Sequence, residues 1–222
     1  MSDPTQKGKI QSVLGLIDPA DLGLTMTHEH LLIDFSVMFN PSPDVTTQRM
    51  AHAPVSMENL GWIRQYCYSN LDNLLVLDED TAIEEAMLYQ RHGGGAIVDA
   101  TTIGIGRDPL ALARISRGAG LHVVMGAGYY VDAAQPNNIN EMDENDIYQE
   151  IVRDIQVGVG STGIKAGIIG EIGCTWPLKP NELKVLKASA RAQSETGASI
   201  LIHPGRDENA PIEILNILVD AG

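Results

Sequence analysis

The chain has 222 residues, of which 29 are acidic and 15 are lysine or arginine, so its formal net charge is −14. Such a charge repels polyanions, and no run of lysine and arginine offers a local exception, which argues against nucleic acid or an anionic membrane as a partner. With 44% hydrophobic residues and no apolar stretch of the ~18 residues that a spanning helix needs, the sequence predicts a folded protein without a membrane span.

Two features bear on location. The N-terminal residues have no apolar segment before a small-residue cleavage site, so we expect no secretory leader. The only cysteines are Cys67 and Cys174, and two are too few for a disulfide framework or a cysteine-rich zinc site. They are also far apart in the sequence and lack CxxC spacing. The expected location is the cytoplasm.

Short β-branched apolar runs alternate with longer amphipathic runs along the chain. Strands are predicted over residues 24–27, 96–102, 122–126, 166–172 and 199–202. Helices are predicted over residues 56–68, 80–92, 109–117, 144–157, 181–196 and 210–219. The result is a β-then-α pattern that occurs five times, which indicates a parallel sheet covered by helices.

Polar residues decide between a barrel and a doubly wound sheet. They lie at or just past the C-terminal ends of the predicted strands: His28, His30, Thr101, Thr102, Tyr129, Tyr130, Glu171 and His203. In a (β/α)₈ barrel that rim gathers catalytic groups from several strands, whereas a doubly wound sheet gathers its ligands at one switch point. The GxGxxG fingerprint is absent after the first strand, so the sequence favours a TIM barrel.

The most specific motif is His28-Glu-His30. Residues i and i+2 of a strand face the same side, so both imidazoles point to one place while Glu29 points away. Two neutral imidazoles suit a divalent metal such as zinc. An HxH taken alone can be coincidence, but its position at the end of the first strand favours a metal site.

Glu171 and His203 strengthen the metal interpretation. Each ends an apolar strand, and a carboxylate buried there without a partner would cost several kcal/mol. A single histidine after a strand is more often structural than a ligand. Three separate strands, however, each deliver a residue of the metal-ligand type at the same end.

The residues that carry these features resemble a known family. Residues 27–30 (THEH), 166–173 (AGIIGEIG), 182–191 (ELKVLKASAR) and 202–204 (IHP) are similar to the phosphotriesterase-related proteins. These belong to the amidohydrolase superfamily of metal-dependent (β/α)₈ hydrolases, and the resemblance runs over essentially the whole chain.

The resemblance implies a binuclear centre of two divalent ions, expected to be zinc. His28 and His30 match the HxH that binds one metal, Glu171 matches the bridging ligand, and His203 matches the strand-five ligand of the second metal. Glu171 is accordingly the candidate catalytic residue. Bacterial phosphotriesterases have a carboxylated lysine at the bridge, and the glutamate here weakens a claim of organophosphate hydrolysis without weakening the metal claim.

The resemblance also implies an activity. A metal-activated water would cleave small amide or ester bonds, with N-acyl amino acids of the N-acetyltaurine kind as the expected small-molecule substrates. Candidate substrate-binding residues are Tyr129, Tyr130, Trp176 and Arg206; an arginine in so acidic a chain fits a surface ion pair equally well. Thr101 and Thr102 are interpreted as caps of the following turn. A homodimer is compatible with the resemblance.

The length qualifies these expectations. After His203 there is no further histidine, so the strand-six histidine and strand-eight aspartate of the family have no counterpart, and four of the six family ligands are matched. We therefore expect residues 1–222 to form one incomplete barrel domain, an N-terminal fragment with about the first five βα units. Two alternatives stay open: an inactive short form acting as a binding or regulatory module, and a non-metal α/β protein in which these residues are structural.

Overall fold

A computed structural model describes residues 7–222, and its central feature is a curled parallel sheet of five strands. The spatial order of these strands is β3 (Leu24–Glu29), β6 (Gly94–Asp99), β7 (His122–Ala127), β8 (Ile168–Gly173) and β9 (Ile200–His203). Each strand therefore lies beside the next one in the chain. A doubly wound sheet reverses its order at a switch point, whereas this sequential order is that of a barrel wall.

Two small antiparallel pairs accompany the main sheet. The first joins β1 (Ile10–Ser12) to β2 (Gly15–Ile17), and the second joins β4 (Ile33–Asp34) to β5 (Leu75–Val76). The sequence analysis predicted none of these strands, because two or three residues are too few to show an alternating pattern. The β4–β5 pair lies within the long connection between β3 and β6.

The main helices are α3 (Glu79–Arg91), α4 (Pro109–Ala119), α5 (Glu144–Gln156), α6 (Pro180–Thr196) and α7 (Ala210–Ala221). The predicted bounds of all five agree to within two residues. Local chemistry explains this for α4: the Asp108 side chain accepts from the Ala111 N–H, Pro109 occupies the first turn, and Gly120 ends the helix in the left-handed conformation.

The first predicted helix differs from the structure. Within residues 56–68 the only α-helix is α2 (Leu60–Gln65), and a 3₁₀ turn over Cys67–Ser69 follows it. A further short helix, α1 (Val45–Gln48), lies before this segment. Gly61 and the aromatic residues of this segment have lower helix propensity than alanine or leucine, which explains its short length.

The core lies between the sheet and the helices. Its fully buried members come from both layers: Ile97, Leu112, Ile115, Val123, Met125, Ile147, Ile151, Ile169, Val185 and Leu186. The burial of each of these apolar side chains stabilises the folded protein by roughly 1.5–3 kcal/mol. The shared core therefore fixes the helices against the strands. The strands are thereby held with their C-terminal ends at one edge.

Among the described residues, β3 and β9 are the sheet edges, each hydrogen-bonded to one main-sheet neighbour, so the wall is not closed there. In that same part of the chain, no helix has the length and apolar character needed to cross a membrane. Residues 1–6, which belong to the segment expected to lack a leader, lie outside the described residues.

Candidate metal centre

Three strands bring metal-ligand side chains to one edge of the sheet. His28 lies near the end of β3 and His30 follows that strand directly, Glu171 lies within β8, and His203 is the last residue of β9. Because the strands are parallel, these positions share the C-terminal rim.

His28, His30 and Glu171 form a compact cluster, in which one ligand atom from each lies within 4.8 Å of the others. The Nε2 of His28 is 3.0 Å from Glu171 Oε2, and the Nε2 of His30 is 3.3 Å from Glu171 Oε1. His203 approaches the same carboxylate, with its Nδ1 3.0 Å from Oε2. Both carboxylate oxygens therefore face imidazole nitrogens.

Glu171 and the three histidines around it differ in solvent exposure. The Glu171 side chain is 3% exposed, whereas the side chains of His28, His30 and His203 are 40%, 26% and 43% exposed. The carboxylate is thus buried beneath a ring of imidazoles that solvent and a ligand can reach.

An irregularity in β8 places Glu171. The register between β8 and β9 shifts between Ile169 and Ile172, and the Glu171 N–H donates to the Ala100 carbonyl at 3.2 Å, beyond the end of β6. Gly170 has φ +133°, and a Cβ there would lie 2.3 Å from the Leu201 carbonyl oxygen. The bulge therefore requires glycine and directs the next side chain into the rim.

Electrostatics keep the carboxylate ionised. Burial would raise the pKa of Glu171, but hydrogen bonds with His203 and His30 outweigh burial and lower that pKa to about 2. Burial would likewise lower the pKa of His30, but the hydrogen bond and negative charge of Glu171 reverse the effect and raise it. An ionised carboxylate facing imidazole nitrogens is a donor set for a divalent cation.

Tyr130 borders this cluster. Its hydroxyl is 3.2 Å from the Nε2 of His203, and the centroids of these two rings are 5.0 Å apart in an edge arrangement. The ring of Phe35 also packs against Tyr130, with the ring centroids 5.8 Å apart. Burial, and then the charge of Glu171, raises the pKa of Tyr130, so its hydroxyl stays neutral.

The other three predicted substrate residues do not all come to the rim. Tyr129 is buried in the core, and its hydroxyl donates to Glu150 on α5, away from the cluster. Trp176 is partly buried in the loop after β8, beside Gly205 of the loop after β9. Arg206 is exposed, and its charge acts on the phenol of Tyr130.

Two buried residues near the cluster were not predicted to serve it. The Thr101 hydroxyl lies 3.0 Å from the Nδ1 of His30, although its sequence position suggested only a turn cap. Asp99 is fully buried and accepts the backbone N–H groups of Leu31 and Thr101 at 2.8 and 3.1 Å. The signal that could have revealed both is their position at the end of the strand that neighbours the HxH strand.

Comparison with known proteins identifies the group to which this arrangement belongs. The model of the phosphotriesterase family matches residues 8–222. The chain belongs to the phosphotriesterase family. This confirms the resemblance predicted from the sequence, and the family generally uses divalent metals.

Individual relatives agree with the family assignment. The chain is 44% identical over 216 residues to the human protein named N-acetyltaurine hydrolase, covering 97% of this chain and 62% of that protein. It is 38% identical to a resiniferatoxin-binding protein from Rhodobacter sphaeroides, with a TM-score of 0.94 over 97% of this chain and 60% of that one. A phosphotriesterase homology protein from Escherichia coli, solved with phosphate in its active site, gives 28% identity and a TM-score of 0.72 over 91% of this chain and 59% of that one.

These likenesses settle the fold. The predicted TIM barrel with about five βα units is confirmed, since the five-stranded sheet superposes on phosphotriesterase-like barrels. The chain spans 62% of the length of the curated relatives that it matches.

Proposed function

We propose that this chain carries the metal-ligating part of a hydrolase site. His28, His30 and Glu171 would hold one divalent ion, with zinc as the ion of choice, and Glu171 with His203 would hold a second. The observation that carries the proposal is the convergence of the three-residue cluster within 4.8 Å at the rim of the sheet.

The spacing of the donors fits such an ion. Two ligands at ~2.0–2.1 Å from a tetrahedral zinc ion are about 3.3 Å apart. The Nε2 of His30 and Glu171 Oε1 are separated by 3.3 Å, and the Nε2 of His28 and Glu171 Oε2 by 3.0 Å. The buried, ionised carboxylate supplies the negative charge that two neutral imidazoles lack.

The chemistry divides between the ions and the protein. The bound ions would lower the pKa of a water molecule and polarise the carbonyl of the substrate. Glu171 is the catalytic residue of this proposal, since its Oε1 faces His30 and its Oε2 faces both His28 and His203, so that one carboxylate would hold both ions. Tyr130, neutral and beside His203, would donate a hydrogen bond to a substrate oxygen. Trp176, partly buried in the loop after β8, would form part of the pocket wall.

The substrate class rests on the relatives and on one side chain. The human relative is named for the hydrolysis of N-acetyltaurine, an N-acyl amino sulfonate. Arg206 lies exposed after β9, where its guanidinium can hold a sulfonate or carboxylate by paired hydrogen bonds. We therefore propose a small anionic N-acyl compound as substrate. A cytoplasmic location is also proposed, because both cysteines are free thiols.

The test combines zinc content with turnover. The chain is stripped of metal, reloaded with zinc and incubated with N-acetyltaurine, and released taurine is measured. We expect release to require zinc, and His30→Ala to lose one bound ion and orders of magnitude in rate. His92→Ala is the matched control, because His92 is exposed at the end of α3, outside the cluster.

Each other outcome contradicts the proposal in a different way. A zinc-loaded chain that releases no taurine would overturn the hydrolase activity and favour the binding or regulatory module. A chain that takes up no zinc would favour the alternative in which the histidines and Glu171 are structural.

A further inference from the structure

The hydrogen-bonding of Thr101 restricts where its hydroxyl hydrogen can go. Thr101 is 1% exposed, and its Oγ1 lies 3.1 Å from the carbonyl oxygen of Leu32 and 3.0 Å from the Nδ1 of His30. A carbonyl oxygen can only accept, so the hydroxyl donates its one hydrogen to Leu32. Towards His30 the hydroxyl is therefore an acceptor, and the Nδ1 of His30 carries the hydrogen.

This assignment determines what the other ring nitrogen offers. When Nδ1 of a neutral imidazole carries the hydrogen, Nε2 has the lone pair that a metal needs. The Nε2 of His30 is the atom that faces Glu171, 3.3 Å from Oε1. The ionised carboxylate of Glu171 also only accepts, so in the metal-free chain the ring carries a hydrogen on Nε2 as well; a bound metal ion would take the place of that hydrogen, while Thr101 holds the one on Nδ1.

The backbone keeps Thr101 in place. The carboxylate of Asp99, which is fully buried, accepts the N–H of Thr101 and the N–H of Leu31, the residue after His30. One side chain thus fixes the main chain on both sides of the Thr101–His30 contact. Among residues 7–222, the Nδ1 of His28 has no hydrogen-bond partner, so His28 serves as an internal reference.

We propose that Thr101 is a positioning residue, which holds the Nδ1 hydrogen of His30 and so leaves Nε2 as the atom that binds the metal. The inference rests on the proposed metal site, and it adds a residue that selects the ligating nitrogen. Partners of this kind in other metal proteins typically change metal affinity by 10–100-fold.

The first readout needs no metal. Long-range ¹H–¹⁵N spectra of the metal-free chain should show a His30 Nδ1 hydrogen that exchanges slowly with water. Thr101→Val keeps the shape of the side chain but removes the acceptor, and should abolish that slow exchange; Thr101→Ser should retain it. The His28 ring signals should be the same in all three proteins.

The second readout is zinc affinity by calorimetry. We expect Thr101→Val to bind zinc about 10–100-fold more weakly than the wild type, and Thr101→Ser to bind as the wild type does. Serine rescue separates positioning from mere packing, since serine lacks the methyl group and keeps the hydroxyl.

Failure of this inference is distinguishable from failure of the proposed function. A wild-type chain that binds no zinc would overturn the metal site, whereas the exchange of the His30 hydrogen is read without zinc. A wild-type His30 that carries no hydrogen on Nδ1 would overturn the role of Thr101, even if Thr101→Val does not fold. Equal zinc affinity of a folded Thr101→Val protein would overturn it as well.

Discussion

Cys174 occupies an environment that suppresses thiol reactivity. It is 1% exposed, just beyond β8, and burial followed by the negative charge of Glu182 raises its pKa to about 12. Because the thiolate is the nucleophile, a raised pKa in the folded protein means that the reactive form is scarce at neutral pH. Cys67, by contrast, is exposed.

Alkylation should therefore distinguish the two thiols. At about pH 8 the folded chain should take up iodoacetamide rapidly at Cys67 and very slowly at Cys174, because the pKa of Cys174 lies far above that pH. Mass spectrometry of the Cys67→Ser variant provides the control, with one label expected in urea and almost none in the folded state. Rapid labelling of folded Cys67→Ser would contradict the buried position of Cys174.

At the residue scale, the sequence predicted which residues lie at the rim better than it predicted which way their side chains point. The rim positions of His28, Glu171 and His203 follow from where apolar strands end. The contrast between Tyr129 and Tyr130 could not be predicted in this way, because neighbouring residues of an extended segment face opposite sides and the sequence did not show which faced the rim. The contact between Thr101 and His30 depends on the register of two parallel strands, which is a tertiary property.

At the element scale, one buried glutamate joins helix α6 to two rim loops. Glu182, in the first turn of α6, accepts the N–H groups of Lys179, Thr175 and Asp132, each at 3.0 Å, and the hydroxyl of Thr175 at 2.7 Å. A carboxylate at this position also interacts favourably with the helix N-terminus. The loops after β7 and β8, which carry Tyr130 and Trp176, are thereby fixed to one helix.

Glu182→Gln should weaken this junction. The amide replaces one acceptor oxygen with a donor that faces other donors, so we expect a loss of about 1–3 kcal/mol in the free energy of unfolding. Urea denaturation measures this loss. Glu208→Gln makes the same charge change at an exposed site and should stay within about 0.5 kcal/mol of the wild type. Equal stability of the two variants would show that the Glu182 contacts contribute nothing.

Elements with local signals were predicted well, and elements that depend on distant partners were not. Helix α4 is delimited by Asp108, Pro109 and Gly120, all readable from the sequence. The β4–β5 pair joins Ile33–Asp34 to Leu75–Val76, and such short strands exist only because the intervening chain returns to the same place. No periodicity within two residues can indicate that pairing.

At the scale of the whole molecule, topology and charge act together at the rim. The sequential strand order curls the sheet so that β3, β8 and β9 bring their C-terminal ends to one site, although β3 and β8 are not neighbours. The net charge of −14 draws cations towards the molecule and repels anions. An anionic substrate would therefore depend on local positive charge, for which Arg206 is the candidate.

The barrel was predictable because polar residues gather at one end of every strand, a pattern that a doubly wound sheet does not require. That five strands form the described sheet also follows from counting βα units. The bulge at Gly170 that turns Glu171 into the site was not predictable, since it depends on the close approach of the Leu201 carbonyl.

The central claim is that His28, His30 and Glu171 bind a divalent ion together. The most direct test is an anomalous difference map, recorded at the zinc edge, from crystals of the chain soaked in zinc. The account predicts a peak about 2.0–2.2 Å from the Nε2 atoms of both histidines and from one oxygen of Glu171. A map with zinc only at other surface positions, and with these three side chains still paired to one another, would contradict it.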